Sequence, residues 1–364
     1  MKILHTESSQ GWGGQELRTV LETRLLIERG YEVYIAIAEK SQFKARAPSV
    51  EQQLLPARIA KKSFRGLFEA IRIVRKVQPS LIVTHSSTDS WLFSLAKGLV
   101  FREAAIIRVR HVSAPVKSNW ISRWLYRKPA FVITTSEDIR SHLINSLGID
   151  SGKCYSIPTG IDADRFSSDI LGRERSVVRD QLGLGASSKL LVMVSTLRSW
   201  KGHEFAIRSM VSLSDYILVI VGDGPRELYL KNLASELSLE NRVLFVGHTS
   251  SVEDYLASAD IFLQPSTKNE GVSQSLLQAG VLALPVIAGN IGGLNEVVIH
   301  EKNGLLVEPE SITDIVSAVK KFESMPRLAQ SCAKRLREEV IKYHSHQLMI
   351  EKLETLYLRA VERP

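Results

Sequence analysis

Short apolar runs alternate with helical stretches along almost the whole chain, and this constrains the fold more than any other feature. In the first half the runs are Ile3-Leu4-His5, Val33–Ala38, Leu81–His85, Ile106–His111, Phe131–Thr135 and Tyr155–Ile157. Helical patterns lie between them, among them Gln15–Arg29, Leu67–Val77, Trp91–Val100 and Glu137–Leu147. The second half repeats the rhythm with Leu190–Val194, Ile217–Val221, Val243–Val246, Ile261–Leu263, Val286–Ala288 and Gly304–Val307, each followed by a helical stretch or a glycine-rich turn. The runs are apolar throughout, so both faces are buried, and strands separated by helices pair in parallel. A chain of 364 residues is long for one core. The expectation is an α/β protein of two doubly wound domains, 1–166 and 167–344, facing a cleft. The boundary is expected after Pro158–Asp162, in the charged, serine-rich segment Ser167–Ser176.

Composition excludes several classes. With 44% hydrophobic and 24% charged residues the chain reads as soluble and globular. Met1-Lys2 leads into an ordinary strand rather than a signal peptide, and no apolar run reaches membrane-spanning length. Cys154 and Cys332 lie far apart without metal-ligand spacing, as expected of buried free thiols in a reducing cytoplasm. The net charge of +8 is uneven: residues 1–165 hold 25 Lys and Arg against 15 Asp and Glu, or +10, which leaves −2 for the remainder. A basic first half points to an acidic partner, nucleic acid or an anionic membrane surface. No recognised nucleic-acid-binding motif occurs, so no nucleic-acid partner is expected.

The richest stretch is Ser266–Gly293. A buried strand ends at Pro265, Glu270-Gly271-Val272-Ser273 follows, and Ser273 can cap a helix with apolar positions Leu276, Leu277, Gly280 and Val281. Gly280 would end that helix or let it pack closely. A helix N-terminus offers backbone N–H groups to anions, a glycine admits close approach, and a carboxylate accepts from hydroxyls. A phosphorylated sugar suits that mixture; an ordinary strand–loop–helix junction with a solvated Glu has the same spelling.

Other strand ends carry compatible groups. Gly13 and Gly14 stand before the first helix, where a phosphate or sugar could meet the backbone, although a tight turn explains them too. They do not fit the dinucleotide fingerprint. His111 ends one run, Arg198 and Lys201 follow another, and Gly222-Asp223-Gly224-Pro225 follows a third. Two cations suit a diphosphate or are simply solvated. Ligands of open parallel sheets sit at the carboxyl ends of the strands.

The ordered pieces GGQE (Gly13–Glu16), IPTGIDADRF (Ile157–Phe166), TLRSWKG (Thr196–Gly202), VGDGP (Val221–Pro225), EGVSQSLLQAG (Glu270–Gly280), LPVIAG (Leu284–Gly289), GGLNEVV (Gly292–Val298) and NGLLVEP (Asn303–Pro309) span nearly the whole chain. In them the chain resembles the retaining glycosyltransferases of family 4, and in particular those of bacterial lipopolysaccharide, O-antigen and capsule assembly. The resemblance implies the GT-B fold of two Rossmann-like domains, with a C-terminal helix, about 345–364, returning to the first. It implies a nucleotide-sugar donor, UDP- or GDP-linked, as substrate, with no cofactor and no metal. Gly13 and Gly14 would meet the donor diphosphate, His111 would lie beside the transferred sugar, and Arg198 and Lys201 would bind the diphosphate. Glu270 would hold sugar hydroxyls, with backbone N–H groups of Gly271, Val272 and Ser273 on sugar and phosphate. Gly222 and Gly224 belong to the same donor-binding set. Two positions depart from the family pattern: Gln278 stands for a second Glu that holds the ribose, and Thr196 for an Arg that Arg198 replaces. An amide still accepts from one hydroxyl and donates to another. No Asp-x-Asp metal motif is read near the expected cleft.

The acceptor is expected to be a glycan or a lipid-linked chain at the membrane. Leu54–Val77 mixes Arg58, Lys61, Lys62, Arg65, Arg72, Arg75 and Lys76 with Phe64, Leu67, Phe68 and Ile71, and Trp120–Lys128 interleaves aromatics with cations. These suit an anionic bilayer surface and a peripheral location on its cytoplasmic side, or are solvated outer faces of helices packed on the sheet. A sugar-nucleotide epimerase of the same fold and a non-catalytic sugar-nucleotide-binding protein stay open as alternatives.

Overall fold

A computed structural model describes residues 1–111, 114–163, 177–185, 188–268 and 270–362. The chain divides into two compact units, Met1–Thr159 with Gln347–Pro364, and Gly160–His346. The division at residue 159 precedes the serine-rich segment, which lies outside the described residues.

The first unit holds a seven-stranded sheet, β1 (Lys2–Glu7), β2 (Glu32–Ala38), β3 (Leu54–Ala57), β4 (Leu81–Thr84), β5 (Ala105–Arg110), β6 (Phe131–Thr134) and β7 (Cys154–Ser156), all parallel, in the order β3-β2-β1-β4-β5-β6-β7. Among the helices covering it are α1 (Gly14–Glu28), α2 (Phe43–Arg46), α3 (Phe64–Val77), α4 (Ser87–Val100), α5 (Trp120–Arg127) and α6 (Glu137–Leu147). Successive strand residues serve opposite faces. Ile3 packs with Leu26 of α1 and with Met349, Ile350, Leu353 and Tyr357 of the C-terminal helix His346–Val361. Leu4 packs with Ala70, Ile73 and Val74 of α3 and with Leu92 and Phe93 of α4. β3 was not read from the sequence, because Pro56 interrupts its apolar run, but an edge strand tolerates a proline.

The second unit holds a six-stranded parallel sheet, β8 (Lys189–Val194), β9 (Tyr216–Val221), β10 (Val243–Gly247), β11 (Ile261–Gln264), β12 (Val286–Gly289) and β13 (Leu305–Val307), in the order β10-β9-β8-β11-β12-β13. Leu191 and Met193 face one core, Leu190 and Val192 the other. Gly280 does not end its helix, which runs Gln274–Val281. A Cβ there would meet Val340 at 3.0 Å and Leu336 at 3.2 Å, so the glycine lets this helix lie close against Pro326–Tyr343.

Both sheets reverse winding direction once, between β1 and β4 in the first and between β8 and β11 in the second. Loops leaving such neighbouring strands diverge to opposite faces and open a crevice at their carboxyl ends.

Candidate active site

In the second unit the crevice lies at the ends of β8 and β11. The loop after β8 carries Arg198 and Lys201; the loop after β11 carries Glu270. They converge: Lys201 Nζ lies 2.6 Å from Glu270 Oε1, which also accepts from Ser266 Oγ at 2.8 Å. Both bonds fall on one oxygen, so the other keeps its acceptor capacity. Glu270 is only 6% exposed. Arg198, by contrast, is exposed, its guanidinium 5.7 Å from the centre of the Trp200 ring.

Backbone packing holds the loops together. Gly202 sits at φ +78, and a Cβ would come within 1.9 Å of Pro265 O. At Gly293 it would meet Gly271 C at 2.3 Å, and Gly293 N donates to Glu270 O at 3.1 Å. Gly222 and Gly224 have the same kind of reason: φ +134 and +159, with Cβ positions 2.1 Å from Ser195 O and 2.7 Å from Leu197 N. Their identity is accounted for by the turn that supports the β8 loop, whether or not a ligand approaches. Beyond Glu270, Ser273 caps the helix Gln274–Val281 by accepting from Leu276 N. Among the described residues the N–H groups of Gly271, Val272 and Ser273 donate to no described partner. A buried carboxylate, a lysine and open backbone donors at a helix N-terminus therefore meet in one place. Gln278 lies half-buried within that helix.

His203, at the start of the helix after the β8 loop, is buried and bonded to Ser195 Oγ at 3.0 Å. Burial, with the Lys201 charge adding, pushes its pKa down to about 3.

The first unit gathers polar groups at the ends of β1, β4 and β5. Gly13 is the residue before α1, and Gly14 begins it. A Cβ on Gly14 would meet nothing within 4 Å, so the fold itself does not demand glycine there. Glu7, at the end of β1, accepts from Ser9 N at 2.9 Å and from Gln15 Nε2 at 2.5 Å. Burial, with Asp89 and Glu16 nearby, raises its pKa well above the usual carboxylate range. Asp89 accepts from Thr6 Oγ1 at 2.7 Å and His85 N at 3.0 Å.

His111 is not isolated. Its Nε2 lies 2.9 Å from His85 Nδ1, and His85 Nε2 lies 2.9 Å from His5 Nδ1. The rings are stacked, with both centroid separations 5.2 Å. Burial lowers all three pKa values: His5 to about 4, His85 and His111 well below the ordinary histidine range. All three are therefore neutral at pH 7. Behind His5, fully buried Arg18 donates from Nε to Glu22 at 2.5 Å and from Nη1 to Ile157 O at 2.7 Å, and Tyr357 donates to Glu22 at 3.3 Å. His5, Glu22 and His85 offer ligand atoms within 4.8 Å of one another. Glu22 is already occupied by Arg18 and Tyr357, and both ring nitrogens of His85 by the flanking histidines, so the group reads as a hydrogen-bonded network.

Sequence reasoning missed His5, His85, Glu7 and Asp89. His5 and His85 do stand at strand ends, but only the strand order β1-β4-β5 makes them neighbours of His111. One Asp-x-Asp spelling does occur, Asp162-Ala163-Asp164, and Asp164 lies outside the described residues. The metal independence implied by the resemblance stays an expectation. Cys154 and Cys332 are free and buried.

Two doubly wound units, each with polar groups at its switch point, have the architecture called GT-B. Residues 12–165 match the family described as Glycosyltransferase Family 4, and residues 174–339 match Glycosyl transferases group 1. The chain belongs to glycosyltransferase family 4. It is similar to the UDP-Gal:alpha-D-GlcNAc-diphosphoundecaprenol alpha-1,3-galactosyltransferase of Escherichia coli, 24% identical over 315 residues, which covers 82% of this chain and 80% of that one. The GDP-mannose-dependent alpha-(1-6)-phosphatidylinositol monomannoside mannosyltransferase of Mycolicibacterium smegmatis is 32% identical over 213 residues, but the match spans only 55% of either chain. Among solved structures, Anabaena HepE in complex with UDP superposes with a TM-score of 0.86 over 98% of this chain and 99% of its own, at 20% identity, a likeness of fold.

Proposed function

We propose that this glycosyltransferase moves a sugar from a UDP- or GDP-linked donor to a lipid-linked or glycan acceptor, with retention of anomeric configuration, in the assembly of bacterial cell-surface polysaccharide. The observation that carries this reading is the meeting of Lys201 and Glu270 at the β8/β11 switch point, beside the open N–H groups of Gly271–Ser273. The relatives support the substrate classes: one uses a UDP-sugar, the other GDP-mannose, and both act on lipid acceptors.

The chemistry follows from charge. Breaking the anomeric bond builds negative charge on the departing diphosphate and positive charge on the sugar ring. Fixed cations and helix N-terminal N–H groups stabilise the first. Lys201, with the exposed Arg198, supplies the cations, and Gly271–Ser273 the donors. Glu270 accepts from sugar hydroxyls through the oxygen that Lys201 and Ser266 leave open. Gln278 holds the ribose by an amide instead of a charge. His111 of the first unit serves the transferred sugar, and Gly13 and Gly14 admit the diphosphate, where the open space at Gly14 supports a ligand rather than a packing role.

For the acceptor, the first unit presents a basic and aromatic surface. Phe64, Phe68 and Trp120 are 93%, 67% and 75% exposed. Lys62 lies over Trp91 at 6.0 Å, and Trp91 packs on Trp124 at 6.3 Å, so the two basic segments meet through Trp91. No described helix is long and apolar enough to cross a membrane. Docking from the cytoplasmic side through this surface would bring the enzyme to a lipid-linked acceptor.

Calorimetry tests the donor site. Removing the charges of Arg198 and Lys201 together should weaken binding of a nucleoside diphosphate more than of the free nucleoside, because each cation acts on phosphate. Equal losses would assign the two residues to folding or to the base.

A further inference from the structure

Three neighbouring strands, β1, β4 and β5, each bring a histidine to the carboxyl end of the sheet, and the three rings form one stacked, hydrogen-bonded row. A hydrogen bond between two neutral imidazoles consumes one N–H and one lone pair. Both links run from Nδ1 of one ring to Nε2 of the next, His5 to His85 and His85 to His111. The three rings must therefore share one tautomer; a mismatch would set two N–H groups or two lone pairs against each other.

The inner end of the row decides which tautomer that is. His5 Nε2 is buried and bonds to nothing among the described residues. If the row ran the other way, that atom would be a buried N–H without an acceptor, the costlier orphan. As a lone pair it tolerates the charge of buried Arg18; the Glu22 carboxylate, whose charge bears more strongly on His5, is held by Arg18 and Tyr357 and accepts no hydrogen bond from His5. Each ring then carries its proton on Nδ1. His5 donates to His85, His85 donates to His111, and His111 is left with its Nδ1–H as a donor.

We propose that His85 and His5 are positioning residues which fix the plane of the His111 ring and hold its proton on Nδ1, so that His111 acts as a neutral hydrogen-bond donor to a sugar oxygen rather than as a base. This deepens the glycosyl-transfer reading and rests on it for the role of the sugar; the proton placement does not.

The test therefore has two arms. In the first, the full-length protein is labelled with ¹⁵N-histidine, and its ring nitrogens are read by long-range ¹H–¹⁵N correlation, with single substitutions assigning the signals. His5, His85 and His111 should all show a protonated Nδ1 and an unprotonated Nε2 at pH 7. In His85→Ala the His111 pattern should shift toward the other tautomer or to an average. In His85→Asn, whose amide N–H can replace the lost donor, it should stay. A protonated Nε2 on His111 in the wild type, or a His111 pattern unmoved in His85→Ala, would overturn the proposal. The second arm is steady-state transfer from the donor sugar that the wild type uses. His85→Ala should lower kcat on the order of 10²-fold, the scale of a misplaced catalytic group, with donor KM within about two-fold. His85→Asn should recover most of that loss. Equal losses in a folded His85→Asn would mean that His85 serves packing alone and would sink the proposal. If the wild type transfers no sugar at all, the glycosyl-transfer reading fails while the first arm still decides where the proton sits.

Discussion

Glu270 is held by Lys201 and Ser266 through one oxygen, in a loop that Gly202 and Gly293 pin by backbone contact. Glu270→Gln keeps the shape and loses the charge. Lys201 is 19% exposed and can turn to solvent, so the fold should survive. Turnover should fall roughly 10²–10³-fold, the scale for one preorganised polar contact to a transition state; near wild-type turnover would remove Glu270 from the site. Glycines offer a paired test. Gly202→Ala meets Pro265 O and a left-handed backbone, and should cost at least about 2 kcal/mol by urea unfolding. Gly14→Ala meets nothing, and alanine favours a helix by about 1 kcal/mol over glycine, so its unfolding midpoint should not drop. Its donor KM should rise, and unchanged kinetics would place the α1 loop away from the substrate. Glu270 and the loop around it were legible from the sequence because strand, carboxylate, glycine and cap are consecutive. The histidine row was not, because its members are 80 and 26 residues apart and become neighbours only through strand order.

At the scale of the elements, apolar periodicity located most strands to within a residue, because strands buried on both faces have no polar positions to blur the pattern. It lost the edge strand β3, where Pro56 breaks the apolar run and one side has no neighbouring strand. Sequence composition also left the basic helices open between a bilayer-facing and a merely solvated surface. The structure keeps Phe64 and Trp120 exposed among those cations. Binding to anionic vesicles should weaken with salt, at about 1 kcal/mol per cation near the surface, and Trp120→Ala with Trp124→Ala should remove the salt-resistant fraction. Sedimentation with neutral and anionic vesicles checks this; equal binding to both would return the surface to solvent. The helix that opens with His203 carries a pH signature. His203 and His5 have folded pKa values of about 3 and about 4, below the ordinary 6.5. Below pH 6.5 the unfolded chain binds protons that the folded chain refuses. Their contribution is thus complete above 6.5 and falls by about 1.4 kcal/mol per pH unit per group until the folded pKa is reached. Unfolding free energies between pH 7 and 5 should show this slope, shallower in His203→Gln; an unchanged slope would mean that His203 titrates freely.

For the whole molecule, the repeated strand–helix rhythm gave two doubly wound sheets, and the ordered motifs gave the family. Neither reveals the base, the sugar or the acceptor, since those depend on pocket shapes assembled from positions scattered along the chain. The proposed activity is transfer of a sugar from a nucleotide to an acceptor with retention. The most direct measurement incubates the protein with a panel of UDP- and GDP-sugars, with and without lipid-linked acceptors, and determines the product's anomeric configuration by NMR. One donor should release its nucleotide much faster when an acceptor is present, and an α-linked donor should yield an α-linked product. A β-linked product, release of an isomerised sugar without any acceptor, or donor binding with no turnover across the panel would contradict the proposed activity.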